Sequence, residues 1–164
     1  LVRASFALGK ARTGALMVIA REIPLTEYIN TGIEVDAVVT SQLLINIFEH
    51  NTPLHDGAVI IKGNRVVSAT CYLPLSSNLN ISKDLGTRHR AALGISENTD
   101  SVTIVVSEET GNVSLAQGGQ LFLHLTADQL QERLEELREK KEEKTRRIWI
   151  LKKGRHPHEK VDHK

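Results

Sequence analysis

The chain is predicted to fold as an α/β domain, a central mixed β-sheet flanked by helices, with a charged C-terminal helix appended. Three observations predict this. Residues 15–20 (Ala-Leu-Met-Val-Ile-Ala) are a continuous apolar run, the pattern of a strand buried on both faces, and 102–106 reads as another buried strand. Lys62-Gly63-Asn64 and Thr110-Gly111-Asn112 are turn signals joining strand-like segments into hairpins over 58–73 and 102–116, which makes the sheet mixed rather than purely parallel. From Thr126 onward the sequence becomes charged, with Glu and Lys at helical spacing.

The elements follow in order. Leu1–Arg12 reads as a short amphipathic helix with Val2, Phe6 and Leu8 inward, broken by Gly14. Leu25–Ile29 is a further turn of helix, ended by Gly32. Asp36–His50 is expected to be the clearest helix of the body, because Leu43, Leu44, Ile47 and Phe48 recur on one face. Asn51-Thr52-Pro53 turns the chain out of it. Strands are expected at 58–61 and 65–73, then a polar loop over 74–86 rich in Ser and Asn. Thr87–Ile95 reads as a helix with Thr87 as its N-cap. Strands at 102–106 and 113–116 precede Gln117-Gly118-Gly119, and 121–125 adds a short element. The final helix carries Leu130, Leu134 and Leu137 as one stripe and runs to Arg147. Ile148-Trp149-Ile150-Leu151 follows as an apolar cluster, and Lys152–Lys164 reads as a disordered tail.

At 164 residues, there is room for one domain and an appendage, divided here as 1–130 and 131–164. Residues 1–130 carry 9 Lys+Arg and 12 Asp+Glu, a balance of −3, whereas 131–164 carry 12 and 8, a balance of +4. A net-acidic body lacks the basic surface of a nucleic-acid binder, and any polyanion it takes must be met by local cations or a metal. The single cysteine, Cys71, excludes an internal disulfide, fits a reducing cytosol, and reads as a small buried hydrophobe. No run approaches about 18 apolar residues and there is no signal-peptide pattern. A chain opening on Leu1 without methionine is expected to be a piece of a longer protein.

Two segments carry chemistry. Asp56-Gly57-Ala58 enters a strand, so the Asp56 carboxylate projects from a rigid edge while Gly57 lets a ligand approach the backbone. Asp56 is able to ligate a divalent metal or accept a proton, and His55 beside it is able to ligate through its neutral imidazole. Arg88-His89-Arg90 opens a helix, where free backbone N–H groups favour anions and each guanidinium grips phosphate with paired donors. Arg88 and Arg90 are two of only nine cations in the first 130 residues. Ser107-Glu108-Glu109 ends a buried strand, and one of these carboxylates is placed to reach the same site. Tyr72 and Leu73 offer surfaces that would sandwich an adenine. Neither a Walker A motif nor Gly-x-Gly-x-x-Gly occurs, and no Cys/His zinc spacing exists.

The spacing of Asp56-Gly57-Ala58 and Arg88-His89-Arg90 resembles the signature pair of diadenylate cyclase (DAC) domains. So do residues 14–22, Thr31-Gly32, residues 50–58, residues 86–94 and residues 106–111, so the likeness extends over about 1–130. Within that family the chain is most similar to the membrane-anchored CdaA type of Gram-positive bacteria. The resemblance implies a single DAC domain that condenses two ATP into cyclic di-AMP (cyclic di-3′,5′-AMP), using Mn²⁺ or Mg²⁺, with Co²⁺ as a further option. It implies catalytic roles for Asp56, Arg88 and Arg90 and a metal held by His55, Asp56 and Glu109. It implies ATP contacts from Gly57, Ala58, Tyr72, Leu73, Gly86, Thr87, Arg88, His89, Arg90, Ser107 and Glu109. A homodimer is implied, because each protomer binds one ATP. Also implied are a cytoplasmic catalytic domain anchored by transmembrane helices preceding this chain, and two regulators, a membrane-linked protein and phosphoglucosamine mutase.

Overall fold

The computed structural model describes residues 1–153. The chain divides into two compact units, Leu1–Ala127 and Asp128–Lys164. In the first unit the elements are α1 (Val2–Lys10), β1 (Ala15–Ile19), α2 (Thr26–Ile29), β2 (Ile33–Val38), α3 (Ser41–Phe48), β3 (Ala58–Lys62), β4 (Arg65–Cys71), α4 (Thr87–Asn98), β5 (Val102–Val106), β6 (Val113–Gln117) and β7 (Gln120–Phe122). Seven strands form one sheet in the order β2-β4-β3-β1-β5-β6-β7. The pair β1–β3 is parallel and every other neighbouring pair antiparallel, so the sheet is mixed and both expected hairpins are present.

The most apolar strand lies in the middle of the order. Leu16 and Val18 of β1, Ala58 and Ile60 of β3 and Val105 of β5 join Ala91, Ala92 and Ile95 of α4 in one buried cluster. Alternate residues, Met17, Val59, Ile61 and Ile104, are also fully buried or nearly so and point to the opposite face. There α1 lies against β5 and β6, with α3 against α1. Each fully buried Ile or Leu contributes roughly 1.5–3 kcal/mol, so the strand ends that carry the site belong to the most strongly held part of the domain.

The expected helix over Asp36–His50 needs correction. Its first part is β2, and α3 starts only at Ser41. Val35, Val38 and Val39 are β-branched and favour extended backbone, and Thr40 is a true N-cap whose hydroxyl accepts from Leu43 N–H at 3.0 Å. β2 is irregular: its register shifts between Glu34 and Ala37, with Asp36 at φ +43°. Arg65 of β4 clamps the bulge, donating to Asp36 Oδ1 at 2.6 Å and to the Asp36 carbonyl.

Smaller differences have equally local causes. The buried face of α1 is Ala4, Ser5, Leu8 and Gly9, with Val2 and Phe6 only half-buried, because Gly9 packs directly on the Gly111 carbonyl. β4 stops at Cys71, leaving Tyr72 and Leu73 beyond it; Thr70 at φ +57° bulges the strand end. α4 is capped by Gly86, whose backbone is extended, and Thr87 is already helical without a side-chain cap bond. The expected element at 121–125 is β7, pairing through Gln117↔Gln120.

In the second unit, α5 (Ala127–Lys153) is one helix of 27 residues. Leu130 is buried and Leu134 and Leu137 half-buried, the stripe expected from spacing. The helix does not end at Arg147: no Gly or Pro interrupts it before Gly154, so Ile148–Leu151 and the first two residues of the expected tail are helical. The remaining tail, 154–164, lies outside the described residues.

Candidate functional site

Five chain segments, Leu16 of β1 among them, meet around a cleft of about 560 Å³, within the roughly 300–1,000 Å³ range of small-molecule sites. His55, Asp56 and Gly57 come from the approach to β3. Cys71, Tyr72, Leu73 and Leu75 come from the end of β4 and the loop after it. Thr87, Arg88 and Ala91 come from the first turns of α4, and Glu108 from the turn after β5. An adjoining recess of about 180 Å³ is formed by Asp84, Gly86, Thr87, Arg88, His89, Ser107, Glu108 and Glu109. Thr87, Arg88 and Glu108 belong to both, so the two form one continuous depression with Arg88 at the join.

Gly57 explains the placement of Asp56. Its φ is +86°, and a Cβ there would lie 2.9 Å from the Cys71 carbonyl oxygen and the Thr70 carbonyl carbon. Only glycine makes this turn against the β4 bulge, and the turn throws the Asp56 carboxylate out at the cleft mouth, 87% exposed. His55 is oriented by a short bond at 2.6 Å between Nδ1 and the Thr52 carbonyl. A carbonyl only accepts, so Nδ1 carries a proton, and Nε2 faces Asp56 Oδ1 at 3.5 Å. His50 stacks edge-on against His55 and also lines the cleft.

On the opposite wall, the α4 N-terminus supplies backbone N–H groups with no helical partner. Arg88 is half-buried and paired with Glu108, Nη1 to Oε2 at 3.0 Å. Its guanidinium occupies the space left by Gly14, where a Cβ would lie 2.4 Å from Cζ. Tyr72 is largely exposed at the rim, its N–H donating to Thr31 Oγ1 at 2.9 Å, and Thr31 donates in turn to the Tyr28 carbonyl at 2.6 Å. Leu73 packs against the core cluster from the cleft side.

Of the expected site residues, His55, Asp56, Gly57, Tyr72, Leu73, Thr87 and Arg88 line the main cleft, and Gly86, His89, Ser107 and Glu109 line the recess. Ala58 and Arg90 line neither. Ala58 is fully buried in β3, and Arg90 holds the loop before α4 through its carbonyl, which accepts from Ser76 N–H at 3.0 Å. Leu16, His50, Cys71, Leu75 and Ala91 also line the main cleft and Gly14 abuts Arg88, although none of the six is among the expected site residues. His50 and Gly14 sit in family-like segments, but nothing local marks them; their role comes from packing between distant segments.

His89 is buried beneath the recess, and its pKa is lowered, first by that burial and then by the charge of His124. Unfolding restores an imidazole that titrates near 6.5. Below that pH the unfolded chain binds a proton the folded chain refuses. Stability from His89 is therefore complete above about pH 6.5 and falls as pH drops toward the lowered folded value. The expected result is a loss of melting temperature between pH 7 and 5 that is smaller in His89→Gln; equal losses in both chains would exclude this origin.

Residues 2–121 match the profile of the family described as DAC, DisA bacterial checkpoint controller nucleotide-binding. The chain is 62% identical over 123 residues to a diadenylate cyclase of Listeria monocytogenes serotype 1/2a, covering 75% of this chain and 45% of that protein. It is 60% identical over 128 residues to the cyclic di-AMP synthase CdaA of Bacillus subtilis, covering 78% and 47%. The chain thus spans less than half the length of these relatives. A double cysteine mutant of DacA from Staphylococcus aureus superimposes with a TM-score of 0.81 at 47% identity, over 82% of this chain and 90% of that one. A hypothetical membrane spanning protein from Bacillus cereus gives 0.72 at 45%, over 75% and 60%. With its signature segments gathered round one cleft and its sheet shared with these structures, the chain belongs to the DAC family of nucleotide-binding domains.

Proposed function

We propose that this domain is the catalytic unit of a diadenylate cyclase, joining two ATP into cyclic di-3′,5′-AMP and releasing two pyrophosphates. The observation that carries this reading is the convergence of Asp56 and Arg88 on one nucleotide-sized cleft, in a chain at least 60% identical to proteins named for that reaction. Tyr72 and Leu73 flank the adenine. Asp56 stands at the mouth, where the ribose 3′-hydroxyl is presented, and accepts its proton. Arg88, the free N–H groups of α4, Thr87 and Ser107 bind the triphosphate and stabilise charge on the departing pyrophosphate. In each half-reaction a bond forms from the 3′-oxygen to the α-phosphorus of the other ATP, and the α–β phosphoanhydride bond breaks.

One cleft holds one nucleotide, and ring closure needs a second 3′-hydroxyl from the opposite direction. The active species is therefore a pair of chains with cleft mouths facing. Asp56, being exposed at the mouth, is available to the nucleotide of either copy.

The site also fits a divalent cation shared with substrate. His55 offers its Nε2 and Asp56 a carboxylate beside it, with Glu109 in the neighbouring recess. Among the described residues no three His, Cys, Asp or Glu side chains are placed to hold a metal together, so phosphate oxygens and water would have to complete the shell of Mn²⁺, Mg²⁺ or Co²⁺. Such an ion, when bound, lowers the pKa of the attacking hydroxyl and neutralises phosphate charge.

Incubation with ATP and Mn²⁺, followed by mass spectrometry, tests the reading. Cyclic di-AMP and pyrophosphate are expected in a 1:2 ratio, at a rate that rises faster than linearly with protein concentration. ADP or AMP as the only product, or no turnover by a chain that dimerises, would overturn it. Gly14→Ala provides a sharper check on Arg88. The added methyl meets the end of a flexible side chain, so the melting temperature is expected to change little. Arg88 is displaced, and ATP affinity falls about tenfold or more, the value of a charged hydrogen bond. Unchanged affinity in a titration would show that Arg88 does not hold phosphate.

The longer protein is, on this reading, membrane-anchored with this domain on the cytoplasmic side. The likeness to a B. cereus protein described as membrane spanning supports this.

A further inference from the structure

The second half of α5 is unlike the rest of the molecule. Residues 138–153 hold eight Lys+Arg against three Asp+Glu, a balance of +5, whereas 127–137 hold one against four, a balance of −3. Ile148, Trp149, Ile150 and Leu151 lie inside this basic stretch and are 45%, 59%, 54% and 70% exposed. Four consecutive large apolar side chains at that exposure are not an ordinary solvated helix surface.

The charges are also sorted around the helix. At about 100° per residue, the three acids, Glu139, Glu142 and Glu143, fall within one sector. Lys140, Lys141, Lys144, Arg147, Ile148 and Leu151 fall on the opposite side, which holds no acid. Arg138 pairs weakly along the helix with Glu142, at 3.8 Å, and so stays with the acidic sector. A face that mixes cations with aliphatic side chains combines the two attractions that hold a helix in the plane of a charged bilayer surface, and Trp149 stands beside Arg138, Glu142 and Arg146 on the border of the acidic sector.

We propose that residues 138–153 dock on an anionic lipid surface, lying along it with Ile148 and Leu151 inserted and the cations against the headgroups. The net charge of +5 selects this occupant over a second copy of α5, whose like face would be repelled. Ile148 and Leu151 on that same face select it over a nucleic acid, which would leave both in water. Among the described residues no helix is long and apolar enough to cross a membrane, so the contact is on the bilayer rather than through it. The inference is independent of the nucleotide chemistry.

The test is sedimentation of the chain with sucrose-loaded vesicles, phosphatidylcholine alone or mixed with phosphatidylglycerol. Trp149, the only tryptophan of the chain, provides a local fluorescence reporter. Expected results are co-sedimentation with the anionic vesicles only, a shift of Trp149 emission to shorter wavelength, and loss of both in high salt. The double variant K144Q/R147Q is expected to bind about thirtyfold more weakly, two cations each contributing about fivefold near an anionic surface. I148S/L151S should bind weakly with no emission shift; helix content measured by circular dichroism separates loss of docking from loss of the helix. Equal binding to neutral vesicles, no binding to either, or an emission shift that follows protein concentration without vesicles would overturn the proposal.

Discussion

Asp56→Asn is expected to reduce cyclic dinucleotide formation by about 10²–10⁴-fold, the usual contribution of a positioned proton acceptor, while leaving the melting temperature unchanged. The two halves of this expectation have different origins. The side chain is 87% exposed, with His55 Nε2 at 3.5 Å, so its replacement by an isosteric amide falls among surface substitutions worth within about 0.5 kcal/mol. The turn that aims it is made by Gly57 and is untouched. Asparagine keeps the shape but carries no charge for a cation and accepts no proton from a hydroxyl. ATP binding through Arg88 and the α4 N-terminus should persist, so calorimetry should still detect the nucleotide in a chain that no longer turns it over. Initial rates within threefold of the unmodified chain would remove Asp56 from the mechanism. Lost nucleotide binding would instead make it a ligand-holding group.

Much of this site was legible in the sequence because its chemistry is concentrated in short segments. Asp56-Gly57 and Thr87-Arg88 each carry their own local logic, a turn that projects a carboxylate and a helix start that attracts anions. The buried strands 15–19 and 102–106 were equally plain, because a strand covered on both faces has no alternation to misread. The failures came where tertiary context overrode a local pattern. Asp36–Val38 reads as the start of a helix only because α3 follows it so closely; pairing with β4 and the Arg65 clamp on Asp36 make it an edge strand. Glu108 and Glu109 were indistinguishable by sequence. The structure puts Glu108 on Arg88 at the join between cleft and recess, and Glu109 in the recess alone. Gly14 had no visible reason to be glycine until Arg88, 74 positions away, was found in the space beside it.

Gly94→Ala is expected to destabilise the domain, against the sign that helix propensity gives. Gly94 lies inside α4, where alanine is intrinsically favoured over glycine by about 1 kcal/mol. Yet a Cβ at this position would stand 2.0 Å from the Pro74 carbonyl oxygen, 2.8 Å from its carbon and 2.9 Å from Ser76 N. All three are backbone atoms, with no rotamer available for retreat. The loop cannot lift freely either. Ser76 N–H donates to the Arg90 carbonyl at 3.0 Å, Ser76 Oγ donates to Glu97 Oε1 at 2.7 Å, and Asn78 N–H donates to Ser76 Oγ at 3.2 Å. Forced overpacking costs about 1–3 kcal/mol, and at roughly 2–4 °C per kcal/mol for a chain of this size the melting temperature should fall by several degrees. Because Leu73 and Leu75 on either side of Pro74 line the cleft, the displaced loop should also raise KM for nucleotide more than it lowers kcat. A rise in melting temperature would mean that the loop yields at no cost and that its close seat on α4 does not hold the cleft in shape.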